Sequence, residues 1–188
     1  MKKRNFIVAL SLLISLTQAN VALAQDGEAD EAAGNCSAAE YRAFDFWLGE
    51  WDVYSQGQLA GHNHIMKILD GCAISESWEG ISGGRGHSLN AYDAKAGSWS
   101  QYWADSNGLV LRLVGEFTDG SMKMLGLTVV PGEEATTIRH QISWTPTENG
   151  HIRQLWESSP TGSDEWQVIF DGVYVPKGSP PPEVKTKS

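Results

Sequence analysis

Between residues 50 and 175 the apolar pattern has a period of two and is broken by turn signals about every 8–14 residues. Gln56-Gly57, Asp70-Gly71, Ala96-Gly97, Asn107-Gly108, Asp119-Gly120 and Asn149-Gly150 supply the breaks. Each puts a glycine where a tight hairpin requires positive φ, most of them after Asn or Asp. The alternation predicts strands near 50–56, 60–70, 72–80, 86–93, 98–105, 109–117, 121–130, 136–145, 151–158 and 165–175. Links this short join antiparallel neighbours, so the strands form a meander. Such a meander has two open edges, and closing it removes both. The expected fold class is all-β: an antiparallel meander closed into a roughly ten-stranded barrel. Ahead of it, Tyr41, Phe44 and Leu48 recur at helical spacing and predict a short N-terminal helix or 3₁₀ turn.

The two ends of the chain differ from this barrel domain of residues 38–175. Lys2, Lys3 and Arg4 precede an apolar stretch from Phe6 to Leu16, and Ala22-Leu23-Ala24 supplies a small-x-small cleavage site. Residues 1–24 therefore read as a signal peptide, too short in its apolar part to span a bilayer. Residues 25–37 form an acidic, flexible leader, and residues 176–188, with three successive prolines, an extended disordered tail. Cleavage before Gln25 removes three of the 14 basic residues and none of the 23 acidic ones, taking the formal charge from −9 to −12. An acidic surface repels phosphate backbones and anionic lipid, so neither nucleic acid binding nor stable membrane insertion is expected. The expected location is periplasmic or secreted.

An even count of cysteines, Cys36 and Cys72, in an oxidising compartment favours a disulfide. Two free buried thiols or a shared metal are the alternatives, and no Cys-x-x-Cys motif points to redox catalysis.

The strands combine aromatic and polar residues in shared rows. Glu76 alternates with Trp78, Ser88 and Asn90 with Tyr92, Gln101 and Asp105 with Trp103, and Gln154 with Trp156. Alternate residues share a face. Trp rings mixed with a few amides and carboxylates suit a pocket for a partly apolar small molecule, and these nine residues besides Asp105 are the expected ligand-binding set. The competing reading has the same rows filling a core or covering the outer face. An isomerase or hydrolase using a buried carboxylate (Glu76, Asp105 or Glu157), and a structural or partner-binding module, are the other functional readings. No Gly-x-Ser-x-Gly, His-Glu-x-x-His, phosphate-loop or dinucleotide-binding signature occurs, so no catalytic residue is assigned. The glycine-rich Gly83-Gly84-Arg85-Gly86 reads as a mobile turn and a candidate lid. His62 and His64 read as an outward polar row rather than a metal site. Haem ligation by His87, His140 or His151 stays open with nothing to single one out, and no cofactor is assigned. A small hydrophobic or aromatic molecule is the expected partner.

The order Phe44-Asp45-Phe46-Trp47-Leu48-Gly49-Glu50-Trp51 resembles the start of a lipocalin-type barrel, where a short helical turn leads into Gly-x-Trp. Leu69-Asp70-Gly71-Cys72, Glu76-Ser77-Trp78-Glu79-Gly80, Ser88-Leu89-Asn90-Ala91-Tyr92-Asp93, Trp99-Ser100-Gln101-Tyr102-Trp103 and Arg153-Gln154-Leu155-Trp156-Glu157 extend the likeness. Together they resemble the exported bacterial family known as domain of unknown function 1579, over roughly residues 40–175. The resemblance implies a lipocalin-like (calycin) barrel and brings no characterised activity. It also implies structural roles for Gly49 and Trp51, with Trp51 plugging the closed end and a late arginine stacked on it. Arg153 is the first candidate for that contact and Arg139 the second. The chain lacks the second and third lipocalin motifs. Its ten strands, where lipocalins have eight, are nearer to fatty-acid-binding proteins and nitrobindin-type haem barrels.

If the cysteines pair, protein recovered from an oxidising compartment should take up no alkylating agent until reductant is added. Intact mass spectrometry reads this directly, and two alkylated cysteines without reductant would refute the pairing.

Overall fold

The computed structural model describes residues 36–132 and 135–182. Residues 1–24, expected to be a signal peptide, and most of the expected acidic leader lie outside them, as do residues 183–188 of the tail. A single helical turn, α1 (Ala39–Arg42), and a 3₁₀ turn (Asp45–Trp47) precede ten strands. These are β1 (Gly49–Ser55), β2 (Gln58–Ile68), β3 (Ala73–Gly80), β4 (Arg85–Asp93), β5 (Ser98–Asp105), β6 (Val110–Thr118), β7 (Ser121–Val130), β8 (Thr136–Pro146), β9 (Ile152–Pro160) and β10 (Gln167–Pro176). Every strand pairs antiparallel with its neighbours in sequence, and β1 closes on β10 from Trp51↔Pro176 to Ser55↔Gly172. The expected closed ten-stranded meander is what the chain forms.

Local sequence explains the closure. Gln56 and Gly57 have φ of 52° and 76°, and Asp119 and Gly120 have 50° and 75°. Two successive positive φ values match the right-handed twist of the strands they join. Along β2, β4 and much of β6 buried and exposed residues then alternate, as in Gly61, Asn63 and Ile65 against His62, His64 and Met66 on β2.

One end of the barrel is plugged. Phe44 and Trp47 are fully buried and stack at 4.7 Å between ring centroids. Phe44 meets Trp99 and Trp144 edge-on, and Trp47 meets Trp144 and Tyr174. Trp51, 7% exposed, donates its indole N–H to the Trp47 carbonyl at 2.9 Å. Val53, Ile65, Ile74, Leu113, Met122, Met124 and Ile152 fill the space beneath. The plug is thus shared by Phe44, Trp47 and Trp51.

Two details differ from the sequence reading. Arg153 does not stack on Trp51. Gln154 faces inward, so its neighbour Arg153 faces outward, where it donates twice to the Asp171 carboxylate at 2.8 Å. Arg139 lies over Trp166, 4.9 Å from the ring centroid, also away from Trp51. The tail begins later than Pro176, which ends β10. Lys177 donates its backbone N–H to the Glu50 carbonyl and its ammonium to the Glu50 carboxylate at 2.7 Å, while Gly178 N–H donates to Asp52.

At the plugged end a disulfide joins Cys36 to Cys72. Cys72 follows the 3₁₀ turn Leu69–Gly71, in which Leu69 and Asp70 both take positive φ, and the Arg42 guanidinium donates to the Gly71 carbonyl. A crosslink over 36 positions contributes roughly 3–4 kcal/mol in the chain-entropy account.

Trp51→Ala removes a buried indole and one of the three rings of the plug. It should cost about 3–5 kcal/mol of stability, the range for truncating a buried aromatic. Urea melts measure it, and a loss under about 1 kcal/mol would mean that the plug holds without Trp51.

Candidate ligand cavity

The opposite end of the barrel is open and leads into a cavity of about 240 Å³. Its walls are Trp78 from β3, Trp103 from β5, Trp156 from β9 and Phe170 from β10, with Leu111 and Ile142 on the β6–β8 side. Its floor is Glu76, Gln101, Gln154 and Tyr174. Strand parity brings these together: residues two apart on one strand share the lumen, one at the floor and one at the wall, as in Glu76 with Trp78 and Gln154 with Trp156.

The floor is the exposed part of a hydrogen-bonded belt. Tyr174 donates its hydroxyl to Gln154 Oε1 at 2.6 Å and accepts from Asn63 Nδ2 at 3.2 Å. Asn63 Nδ2 also donates to Glu76 Oε1 at 2.8 Å, and Ser88 Oγ donates to Glu76 Oε2 at 2.6 Å. Asn90 Nδ2 donates to Ser88 Oγ at 2.9 Å, and Gln101 Nε2 donates to Asn90 Oδ1 at 2.7 Å. Trp47 and Trp144 turn their indole N–H groups toward the Tyr174 phenol from the plug side without reaching bonding geometry.

Burial dominates the electrostatics of this belt. Glu76 is 6% exposed, and the loss of water pushes its carboxyl up to about 7, against the opposing hydrogen bonds from Ser88 and Asn63. Burial and then the Glu76 charge raise the Tyr174 phenol well above its ordinary range.

The wall rings are shaped by glycines. A Cβ on Gly61 would lie 2.6 Å from the Trp78 ring and 2.5 Å from the Glu79 carbonyl oxygen. A Cβ on Gly86 would collide with the Trp103 ring, and one on Gly172 with the Phe170 ring. Each ring therefore folds back along the wall over a residue without a side chain, which keeps the lumen open.

Trp156 is fixed differently. Its indole N–H donates to His140 Nδ1 at 3.1 Å, and His140 Nε2 meets Thr128 Oγ1 at 2.8 Å. An indole only donates, so Nδ1 accepts and Nε2 carries the proton. Burial lowers the His140 pKa and favours this neutral form.

Of the nine residues expected to bind ligand, Glu76, Trp78, Gln101, Trp103, Gln154 and Trp156 line the cavity. Ser88 and Asn90 are buried behind it as links in the belt. Tyr92 shares their parity but lies under α1 at the plugged end, against Tyr41 and Trp99. Glu157 faces outward and accepts from Gln141 at 2.8 Å, which removes it from any interior chemistry. Asp105 reaches the cavity margin, with one carboxylate oxygen accepting the backbone N–H groups of Asn107 and Leu109 in the β5–β6 turn. His62 faces outward and pairs with Asp52 at 2.7 Å. The glycine-rich segment forms the β3–β4 turn beside the mouth, closed by Gly80 N–H to Gly84 and Gly83 N–H to Gly80.

Sequence reading missed Asn63, Tyr174 and Phe170, and weighed His140 only as one of three open haem ligands rather than as the partner of Trp156. Phe170, Gly172 and Tyr174 alternate within β10, a signal that was present. The partnership of Asn63 with Tyr174, 111 positions apart, exists only through closure. No protein-family model matches the chain, and no curated protein sequence matches it either.

The raised Glu76 pKa has a stability consequence. The folded state holds this proton more tightly than the unfolded chain, so the group's contribution is fully present below about pH 4.5 and is lost as pH rises through about 7. Glu76→Gln abolishes that dependence. Relative to the variant, the native chain should lose roughly 2–3 kcal/mol between pH 4.5 and pH 8, read from paired urea melts. A difference that does not move with pH would contradict the buried, proton-retaining carboxyl.

Proposed function

We propose that this chain is an exported binding protein that holds a small, partly apolar or aromatic molecule in the open end of the barrel and does no chemistry on it. One observation carries the reading: an open cavity of about 240 Å³ with aromatic walls held back by glycines and a polar, pre-bonded floor. Apolar walls supply affinity and the few fixed polar groups supply orientation. The floor is preorganised, because Asn63, Asn90 and Ser88 already hold Glu76 and Gln101 in place, so a ligand meets groups whose ordering cost has been met on folding. Export rests on the features of residues 1–24 and on a disulfide, which suits an oxidising compartment. Kinship with the exported family known as domain of unknown function 1579 belongs to the same proposal and rests on the shared sequence strings.

Glu76 favours one other reading, a barrel enzyme, since a carboxyl near 7 can exchange protons at neutral pH. Its two oxygens already accept bonds from Asn63 and Ser88. Asp105 is engaged in its turn, and among the described residues no Ser, Cys, Lys or His lines the cavity to act as nucleophile or second base. Binding without turnover fits this arrangement better.

Gly86→Ala tests the site. The new methyl group displaces the Trp103 ring toward the lumen, at a stability cost of about 1–3 kcal/mol for overpacking. The neutral fluorophore N-phenyl-1-naphthylamine should brighten on binding the native protein and quench its Trp emission. The folded variant should bind it about tenfold more weakly, a loss within the range of a single good contact. Unchanged binding by a folded Gly86→Ala protein would locate the probe elsewhere.

A further inference from the structure

Glu76 is buried, and among the described residues its bonding partners are the uncharged Asn63 and Ser88. Among the described residues the ion pairs engage Asp45, Asp52, Asp119, Asp171 and Glu50, none of them in the lumen. The cavity lining includes two acids, Glu76 and Asp105, and no Lys, Arg or His. A carboxylate withdrawn from water without a counter-charge is costly, and that cost falls when a cation is brought to it.

The remaining groups of the cavity favour the same sign of charge. Gln101 gives one amide N–H to Asn90, and its carbonyl oxygen is at hand as an acceptor on the cavity floor. Trp78 and Trp103 pack against the wall glycines Gly61 and Gly86, and both rings line the cavity beside Glu76. An indole face is the negative pole of the ring quadrupole, and several such faces around a carboxylate form a site for an ammonium group. The chain as a whole is acidic, with a formal charge of −9, and attracts cations from a distance.

We propose that the cavity takes an organic cation, an amine or quaternary ammonium on a compact apolar body, with its charge between Glu76 and the faces of Trp78 and Trp103. This rests on the cavity reading and adds the ligand's charge to it. A carboxylate or phosphate ligand would meet two acids and the negative faces of the indoles.

Binding of such a cation favours the ionised carboxylate, so it displaces the proton that burial holds on Glu76. The groups facing Glu76 are Asn63 from β2, Ser88 from β4, Gln101 from β5 and Tyr174 from β10, with Asp105 at the cavity margin and His140 behind Trp156. Tyr174 stays protonated, and His140 is held neutral by burial, so the response near pH 7 belongs to Glu76.

Calorimetry on the purified, oxidised protein with three probes of similar size separates the outcomes: 2-phenylethylammonium, 2-phenylethanol and phenylacetate. At pH 8 the ammonium should bind about tenfold tighter than the alcohol, with phenylacetate weakest of the three. Lowering the pH to 5.5 should weaken the ammonium about tenfold or more and leave the alcohol unchanged. In Glu76→Gln the ammonium should fall to the affinity of the alcohol and lose its pH dependence. The pH series on the native chain decides the matter even if that variant fails to fold. Equal affinity for alcohol and ammonium, or preference for phenylacetate, overturns the cation while the cavity stands. Binding of none of the three removes both.

Discussion

A chain of hydrogen bonds crosses the waist of the barrel from Gln154 through Tyr174, Asn63, Glu76, Ser88 and Asn90 to Gln101. It links β9, β10, β2, β3, β4 and β5 on the inside, while β6, β7 and β8 face it with Leu111, Met124 and Ile142. Buried polar groups are costly when unpaired and specifying when paired. Here the pairing requires that β10 and β2 flank β1, so it exists only in the closed barrel and in one register. A slip of one residue on β2 would replace Asn63 with His62 or His64 and leave the Glu76 carboxyl without its donor. The belt therefore binds closure, register and the polarity of the floor into one requirement.

The two ends follow from what lies on either side of that belt. Toward the plug, bulky rings fill the lumen, and Phe44 and Trp47 come from outside the sheet to complete the packing. Toward the mouth, the same residue type has the opposite effect, because the rings have somewhere else to go. Gly61, Gly86 and Gly172 provide the space that lets Trp78, Trp103 and Phe170 lie along the wall. Tryptophan is a core residue at one end and a lining at the other, with glycines making room for Trp78 and Trp103 and His140 holding Trp156.

Much of this architecture is legible in the amino-acid sequence. Regular turn pairs between alternating segments dictated the number and order of strands, because links of two to six residues leave no other neighbour. The row of Glu76 and Trp78 was legible for the same reason. Arg153 shows where the reasoning slipped: it cannot share the lumen with Gln154, since adjacent residues on a strand face opposite ways, and the parity that admits Gln154 and Trp156 excludes both Arg153 and Glu157. Tyr92 slipped for another reason. Its parity is inward, but depth along the barrel decides whether an inward residue meets ligand or plug, and depth depends on the strand offset built up around the whole circuit. Asn63 was out of reach because nothing in its strand marks it, and its meeting with Tyr174 is a product of closure.

The chain enters β1 and leaves β10 at the plugged end, where Lys177 is bonded to Glu50 and Cys36 is tied to Cys72. Both routes into and out of the fold thus lie on the side away from the cavity. Anything anchored at Cys36 or at Lys177 would hold the barrel by its plugged end, with the mouth facing away from the point of attachment.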